Sequence, residues 1–353
     1  MRRTWLAAIA ACWACGGVNP QATAWEGWGG ARIDSLGAAM PALLQEFEVP
    51  GVSIALISGP RVQWSAGYGH TGMPGSEVSP QTVFQVASLG KPVFAHLLDG
   101  IEAQREWELR DPLHLWSPSG AYPSARGILT AEELLSHTSG LRYDAAHDQV
   151  VLDSAGRGQW SYSGAGYVLL QRALEAAEGR SLEELSGSIL FGPLGLQTMT
   201  YVAPEGEQRA VGHDRSGNPL TGLDWEEASA ASSLYASAVD YARFLIFAAG
   251  LDGSDPGAWT RLTQVRTTVD EGLGLYWGLG WAVERDPNGH RTGFHWGSNP
   301  GFKSFALLDP ERQLGLVILT NGDHGLELVQ RIVGILDPKP HPLFEFYMLH
   351  PDD

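Results

Sequence analysis

The sequence predicts an α+β fold: one antiparallel β-sheet built from N- and C-terminal segments and flanked by helices, with a mostly helical domain inserted between them. Three observations predict it. Strand-like segments lie near both ends, helical apolar spacing fills the middle, and no internal repeat interrupts that order. With 353 residues, 44% hydrophobic and 18% charged, the chain can bury a core large enough for two domains or one composite one.

The elements follow in order. Residues 31–47 carry Ile33, Leu36, Met40, Leu43 and Leu44 at helical spacing, and Pro50-Gly51 end the run. Residues 51–57 and 61–68 read as two strands of a hairpin around Ser58-Gly59-Pro60. From Ser88 to about Gly250 the pattern is largely helical, at 93–104, 131–136, 166–177, 182–190 and 238–249, with long loops between. Strands return at 276–285, 291–297, 302–309 and 314–321, and a last helix fits 326–336. The expected division is a sheet domain of 25–87 plus 276–353 and a helical domain of 88–275, with a cleft at their junction. The tail from Pro338 is Pro-rich and then aromatic.

The first 24 residues read as an export signal: Arg2 and Arg3, an apolar stretch at 5–15 too short to span a bilayer, and Ala22-Thr23-Ala24 as a cleavage site. The expected chain is therefore periplasmic or secreted and begins at Trp25. The competing reading is a lipoprotein anchored through Cys12, since Ile9-Ala10-Ala11-Cys12 fits a lipid-attachment box. Cys12 and Cys15 are the only cysteines, so cleavage at Ala24 leaves no thiol, disulfide or cysteine-bound metal. No later segment reaches membrane-spanning length. The net charge of −17, with no Lys/Arg run, argues against nucleic acid as a partner. The eleven histidines show no His-Glu-x-x-His spacing, so no metal is expected.

Chemistry enters at Ser88-Leu89-Gly90-Lys91. Lysine is scarce, occurring only at 91, 303 and 339, and one of the three stands a helical turn after a serine. A helix beginning at Ser88 would set its positive dipole end near that hydroxyl. A desolvated lysine there could be neutral and accept the serine's proton. A chance Ser-x-x-Lys is common, so the tetrapeptide does not stand alone. Three other stretches accompany it: "LLSHTSGL" at 134–141, "WSYSGAGYVLLQ" at 160–171 and "HWGSNPGF" at 295–302.

Together these resemble the serine β-lactamase and penicillin-binding protein superfamily, and within it the class C β-lactamase-related hydrolases, which include esterases and D-aminopeptidases. The resemblance covers nearly the whole mature chain and implies the β-lactamase/transpeptidase-like fold. It matches Ser88 to the acylated nucleophile and Lys91 to its proton partner. Tyr162 matches the family's general-base tyrosine, whose phenol, near pKa ~10 when free, needs nearby positive charge that Lys91 could supply. The backbone N–H groups of Ser88 and Ser298 match the oxyanion-hole donors. Gly297 would let substrate approach the strand edge.

Two departures bear on substrate. The family asparagine two residues after the tyrosine is Gly164 here, with Ser163 as a partial replacement. The third motif is His295-Trp296-Gly297, in which an indole removes the hydroxyl that would bind a substrate carboxylate. The expectation is a cofactor-free serine hydrolase acting on small esters or amides. D-alanyl carboxypeptidase or β-lactamase activity, and a non-catalytic β-lactam or peptidoglycan sensor, are the alternatives. His137 is read as shaping its loop rather than as a triad histidine. Trp281 is read as core, and Asp224, Glu226 and Glu227 as a solvated loop.

Overall fold

The computed structural model describes residues 27–116, 127–144, 149–206, 208–222 and 224–350. The expectations for the export signal, Cys12, Cys15 and Trp25 lie outside the described residues.

The strands are β1 (Gly51–Ser58), β2 (Arg61–Gly69), β3 (Phe84–Ala87), β4 (Leu141–Asp144), β5 (Gln149–Leu152), β6 (Leu234–Ala236), β7 (Thr267–Asp270), β8 (Leu275–Trp277), β9 (Ala282–Arg285), β10 (Arg291–Asn299), β11 (Phe302–Asp309) and β12 (Leu314–Thr320). The helices are α1 (Gly30–Glu46), α2 (Gly90–Glu102), α3 (Ala131–Leu135), α4 (Gly164–Glu178), α5 (Leu182–Ser186), α6 (Gly192–Leu194), α7 (Ala238–Ala248), α8 (Pro256–Leu262) and α9 (Gly325–Leu336). Ser163 and Ser237 cap α4 and α7, and capping boxes at Thr130 and Ser181 start α3 and α5.

Eight strands form one antiparallel sheet in the order β2-β1-β12-β11-β10-β9-β8-β7. The first two come from the N-terminus and the other six from the C-terminal third, so the termini meet within the sheet. The central strands are apolar on both faces because both are covered. Val52, Ile54 and Leu56 of β1 join Leu316 and Ile318 of β12 in a core with α1 and α9. Ala55, Ile57, Val317 and Leu319 face the other way, into the core shared with α2 and α7.

Three features differ from the sequence reading. The helix at 238–248 packs on β1, β2 and β12, although it lies within the interval read as the helical insertion. Strand pairing resumes at Thr267, and the run read as one strand at 276–285 is broken between β8 and β9. The break is at Gly280, with φ +79°, where a Cβ would stand 2.6 Å from the Cβ of Ala95 in α2. The chain must turn there to let the helix approach. The short β3–β6 and β4–β5 pairs and α8 lack a readable pattern. The tail's two 3₁₀ turns, Pro342–Glu345 and Tyr347–Leu349, bury Leu343, Phe344, Phe346 and Leu349 in the α1–α9 core.

Candidate active site

The buried β3 ends at Ala87, whose φ of +51° is unusual for a residue with a side chain. That reversal turns the chain into a tight Ser88-Leu89 corner. The helix starts at Gly90, two residues later than expected, yet the Lys91 N–H donates to the Ser88 carbonyl at 3.0 Å. The side chains therefore stack as the spacing requires. Lys91 Nζ donates to Ser88 Oγ at 2.8 Å and to the Ala231 carbonyl at 2.6 Å, and Ser88 Oγ itself lies 3.2 Å from that carbonyl. Lys91 is 1% exposed, and no carboxylate among the described residues pairs with it. Burial alone pulls its pKa down to about 7. Such an amine can accept a proton from the hydroxyl beside it at neutral pH.

The Ala231 carbonyl was invisible to sequence reasoning because it is main chain. Gln171 of α4 sets it in place, donating to the Ala228 carbonyl at 2.9 Å and accepting from the Ala230 N–H at 2.8 Å. The Ala231 carbonyl gives Lys91 the acceptor that the side chain of an asparagine at position 164 could have offered. Gly164 opens α4, and a Cβ there would meet only Ala231 Cβ, at 3.6 Å. Ser163 does not substitute for that asparagine: its hydroxyl accepts from the Gly166 N–H at 3.1 Å as the helix cap.

Tyr162 precedes that cap. Its ring lies 4.9 Å from Lys91 Nζ, and its hydroxyl is buried without a hydrogen-bond partner. Burial pushes the phenol well above its ordinary range, and the nearby Ser88 hydroxyl offsets this only in part. Burial thus opposes the phenolate base expected there, and a lysine whose pKa falls to about 7 carries its charge only part of the time at neutral pH. A neutral phenol can instead give a proton.

The third motif lies on β10. A two-residue turn, Pro300-Gly301, closes the Asn299–Phe302 pair, so alternate residues back from Asn299 bond to β11. Ser298 faces the other edge, which β9 leaves uncovered beyond Phe294. Its N–H therefore points outward, on the strand beside the Ser88 corner. Gly297 makes that closeness possible. A Cβ there would stand 2.2 Å from the Val86 carbonyl, 2.3 Å from Ser304 Oγ and 3.1 Å from Ala87 Cβ. The glycine expected to admit substrate thus admits the end of β3.

His295 is fully buried. Its Nδ1–H donates to the Trp296 carbonyl at 2.7 Å, and its Nε2 has no partner. Burial and then Lys91 pull its pKa down to about 3, so it is neutral at ordinary pH. Trp296 is 4% exposed, packed between the Tyr162 ring at 5.7 Å and Phe346 of the tail at 5.7 Å. The indole is thus buried rather than open to the site. Asn299 Nδ2 donates to Gln85 and to the Ser232 carbonyl, and Lys303 is held by Asp323 at 2.5 Å. Trp277 and Trp281 are both buried, and Tyr276 is partly exposed, with the Arg285 guanidinium 4.9 Å above its ring. Asp224 pairs with Arg209 at 2.8 Å.

Comparison with known proteins adds three findings. The family described as Beta-lactamase matches residues 36–334. Among curated proteins, the chain is 28% identical over 347 residues to "Penicillin-binding protein 4" of Amycolatopsis lactamdurans, covering 84% of this chain and 90% of that protein. It is 26% identical over 307 residues to "D-alanyl-D-alanine-carboxypeptidase/endopeptidase AmpH" of Escherichia coli (strain K12), covering 76% and 78%. Among solved structures, a beta-lactamase/D-alanine carboxypeptidase from Pseudomonas syringae superposes with a TM-score of 0.74 at 20% identity, covering 88% of this chain and all of that one.

The packing at Gly297 makes a stability prediction. Gly297→Ala forces β3 away from β10 and should cost about 1–3 kcal/mol, as overpacking does. Thermal unfolding should show a melting temperature lowered by several degrees. An unchanged value would mean that Val86 and Ser304 yield freely.

Proposed function

The chain belongs to the beta-lactamase family of serine hydrolases, and we propose that it acts by transferring a substrate acyl group to Ser88. The observation that carries this reading is the buried Lys91 amine, 2.8 Å from Ser88 Oγ and without a carboxylate partner. Neutral Lys91 takes the Ser88 proton as Oγ attacks the carbonyl carbon. The developing oxyanion lies between the N–H groups of Ser88 and Ser298. Tyr162, as a neutral phenol, passes its proton to the leaving oxygen or nitrogen and recovers one from the Lys91 ammonium. Water then attacks the acyl-enzyme with Lys91 again as base, and the Ser88 proton is restored. No cofactor enters these steps.

The substrates we propose are small esters or amides without a carboxylate beside the scissile bond. In support, the stretch from His295 to Asn299 and its hairpin partner offer no unpaired cation. His295 is neutral, Lys303 is neutralised by Asp323, and the Asn299 amide is occupied. Position 296 has no hydroxyl. A carboxylate placed there would lose water contacts without full replacement, costing about 1–3 kcal/mol or more for a charged group. The second reading, hydrolysis of D-alanyl peptides, is favoured by the name of the E. coli relative.

Three measurements test the proposal. Ser88→Ala should abolish both turnover and covalent labelling by a fluorophosphonate while the melting temperature stays near that of the wild type. Labelling of the alanine variant to completion at another residue would reject the assignment. The pH dependence follows from Lys91, whose neutral form is the base. kcat/KM for an activated ester should rise about tenfold per pH unit below its pKa of about 7 and flatten above it. A rate that falls as pH rises through 7 would show that the charged amine is the active form. Finally, kcat/KM for a short-chain nitrophenyl ester should exceed that for a chromogenic cephalosporin by at least ~100-fold, the scale of the carboxylate penalty. A preference for the cephalosporin would overturn the carboxylate argument and with it the ester assignment.

A further inference from the structure

His137 stands where a helix usually ends in glycine. α3 closes with the Thr138 N–H donating to the Glu133 carbonyl at 2.8 Å and the His137 N–H to the Leu134 carbonyl at 3.3 Å, a Schellman arrangement whose left-handed residue is His137, φ +58°. A side chain in that conformation is disfavoured, so retaining an imidazole there asks what it does.

Its contacts converge on Tyr162. The Ser161 N–H donates to the His137 carbonyl at 2.8 Å, and the Ser163 N–H donates to His137 Nδ1 at 3.0 Å. These are the two residues that flank Tyr162 in the chain. The imidazole also lies against the phenol ring, with centroids 4.3 Å apart and planes 34° apart. Tyr167 and Trp277 close its other sides at 5.2 and 4.9 Å. Because Nδ1 accepts, the ring proton sits on Nε2, which is buried without a partner. A second proton on Nδ1 would face the Ser163 N–H donor directly. Burial, and then Lys91 and His295, also hold the ring neutral.

We propose that His137 is a positioning residue: in one fixed tautomer it grips the backbone on both sides of Tyr162 and backs the ring, setting the phenol over Ser88 and Lys91. The inference rests on the acyl-transfer reading for its kinetic consequence, but the local structural claim stands apart from it. His137 neither touches substrate nor moves a proton.

Four variants and two sets of spectra test this. His137→Gly removes ring and backbone strain together, so any fall in rate cannot be blamed on the left-handed turn. kcat should drop on the order of 10²-fold, as for a sub-ångström to ångström misplacement, with KM within about threefold. His137→Ala should fall similarly. His137→Asn tolerates the left-handed conformation and sets Oδ1 near the place of Nδ1, so it should recover most of kcat. His137→Gln, which mimics the far nitrogen, should not. The acid limb of kcat/KM should keep its midpoint in the glycine and asparagine variants, since Lys91 owns it.

In the wild type, ¹⁵N spectra should show His137 as the Nε2–H tautomer without titration from pH 5.5 to 8.5. Labelled Tyr162 ring signals, slowly exchanging in the wild type, should average in the glycine variant. Loss of wild-type turnover and Ser88 labelling would sink the acyl-transfer reading while these spectra still decide the grip. A glycine variant with kcat within threefold of wild type, a glutamine variant better than asparagine, a shifted acid limb, or a titrating His137 would each overturn the proposal.

Discussion

The buried amine of Lys91 is the constraint around which the rest of the site is arranged. An amine 1% exposed, with no counter-ion among the described residues, holds its charge poorly: its pKa falls to about 7, so its neutral form is well populated at neutral pH. The same burial acts on its neighbours: it is the main reason that His137 and His295 stay unprotonated and that Tyr162 stays protonated. The arrangement has a stability cost with a definite sign. The folded pKa lies below the unfolded value of about 10.4, so the penalty is fully present below pH 7 and is relieved as pH climbs toward 10.4. On the proposed reading, the need for a neutral base accounts for that cost.

Three backbone segments from distant parts of the chain meet around the amine. The end of β3 brings Ser88, the 228–232 loop brings the Ala231 carbonyl, and the free edge of β10 brings the Ser298 N–H. Each is fixed by something local: the left-handed Ala87, the Gln171 clamp, and the missing Cβ of Gly297. The Asn299 amide, bonded to both Gln85 on β3 and the Ser232 carbonyl, ties the three together. A sheet assembled from both ends of the chain makes this meeting possible, since β10 lies in the frame against which the helical segment packs.

What the sequence revealed follows from what kind of group does the work. Ser88, Lys91 and Tyr162, which the structure brings together, were legible because the roles proposed for them demand particular side chains at fixed spacing. The Ala231 carbonyl was not, because any residue supplies one. A glycine on a strand, as at Gly297, signals close approach without saying by what, and the structure shows the end of β3 there. The motif likewise singled out Trp296 without revealing that Phe346, fifty residues on, packs against it. The long strands β1, β11 and β12 were readable from their apolar runs, whereas β3 to β7 are too short to carry a period. The helix at 238–248 was recognised, but a helix apolar enough to be buried does not announce which layer buries it.

The exchange of an asparagine side chain for the Ala231 carbonyl has a further consequence. A carboxamide can accept from a lysine with its oxygen while donating to substrate with its nitrogen. A main-chain carbonyl can only accept. With Gly164 in place, Lys91 keeps its anchor at 2.6 Å, but the donor that an asparagine would turn toward substrate is gone. On the proposed reading the proton chemistry at Ser88 is thereby preserved and one polar contact to the acyl portion is lost. The same direction of change occurs at Trp296, which lacks the third-motif hydroxyl. Both departures remove hydrogen bonds to substrate and leave the nucleophile's own partners untouched. On the same proposed reading, that combination favours substrates held by shape and by the oxyanion donors over those that must be gripped through an amide and a carboxylate.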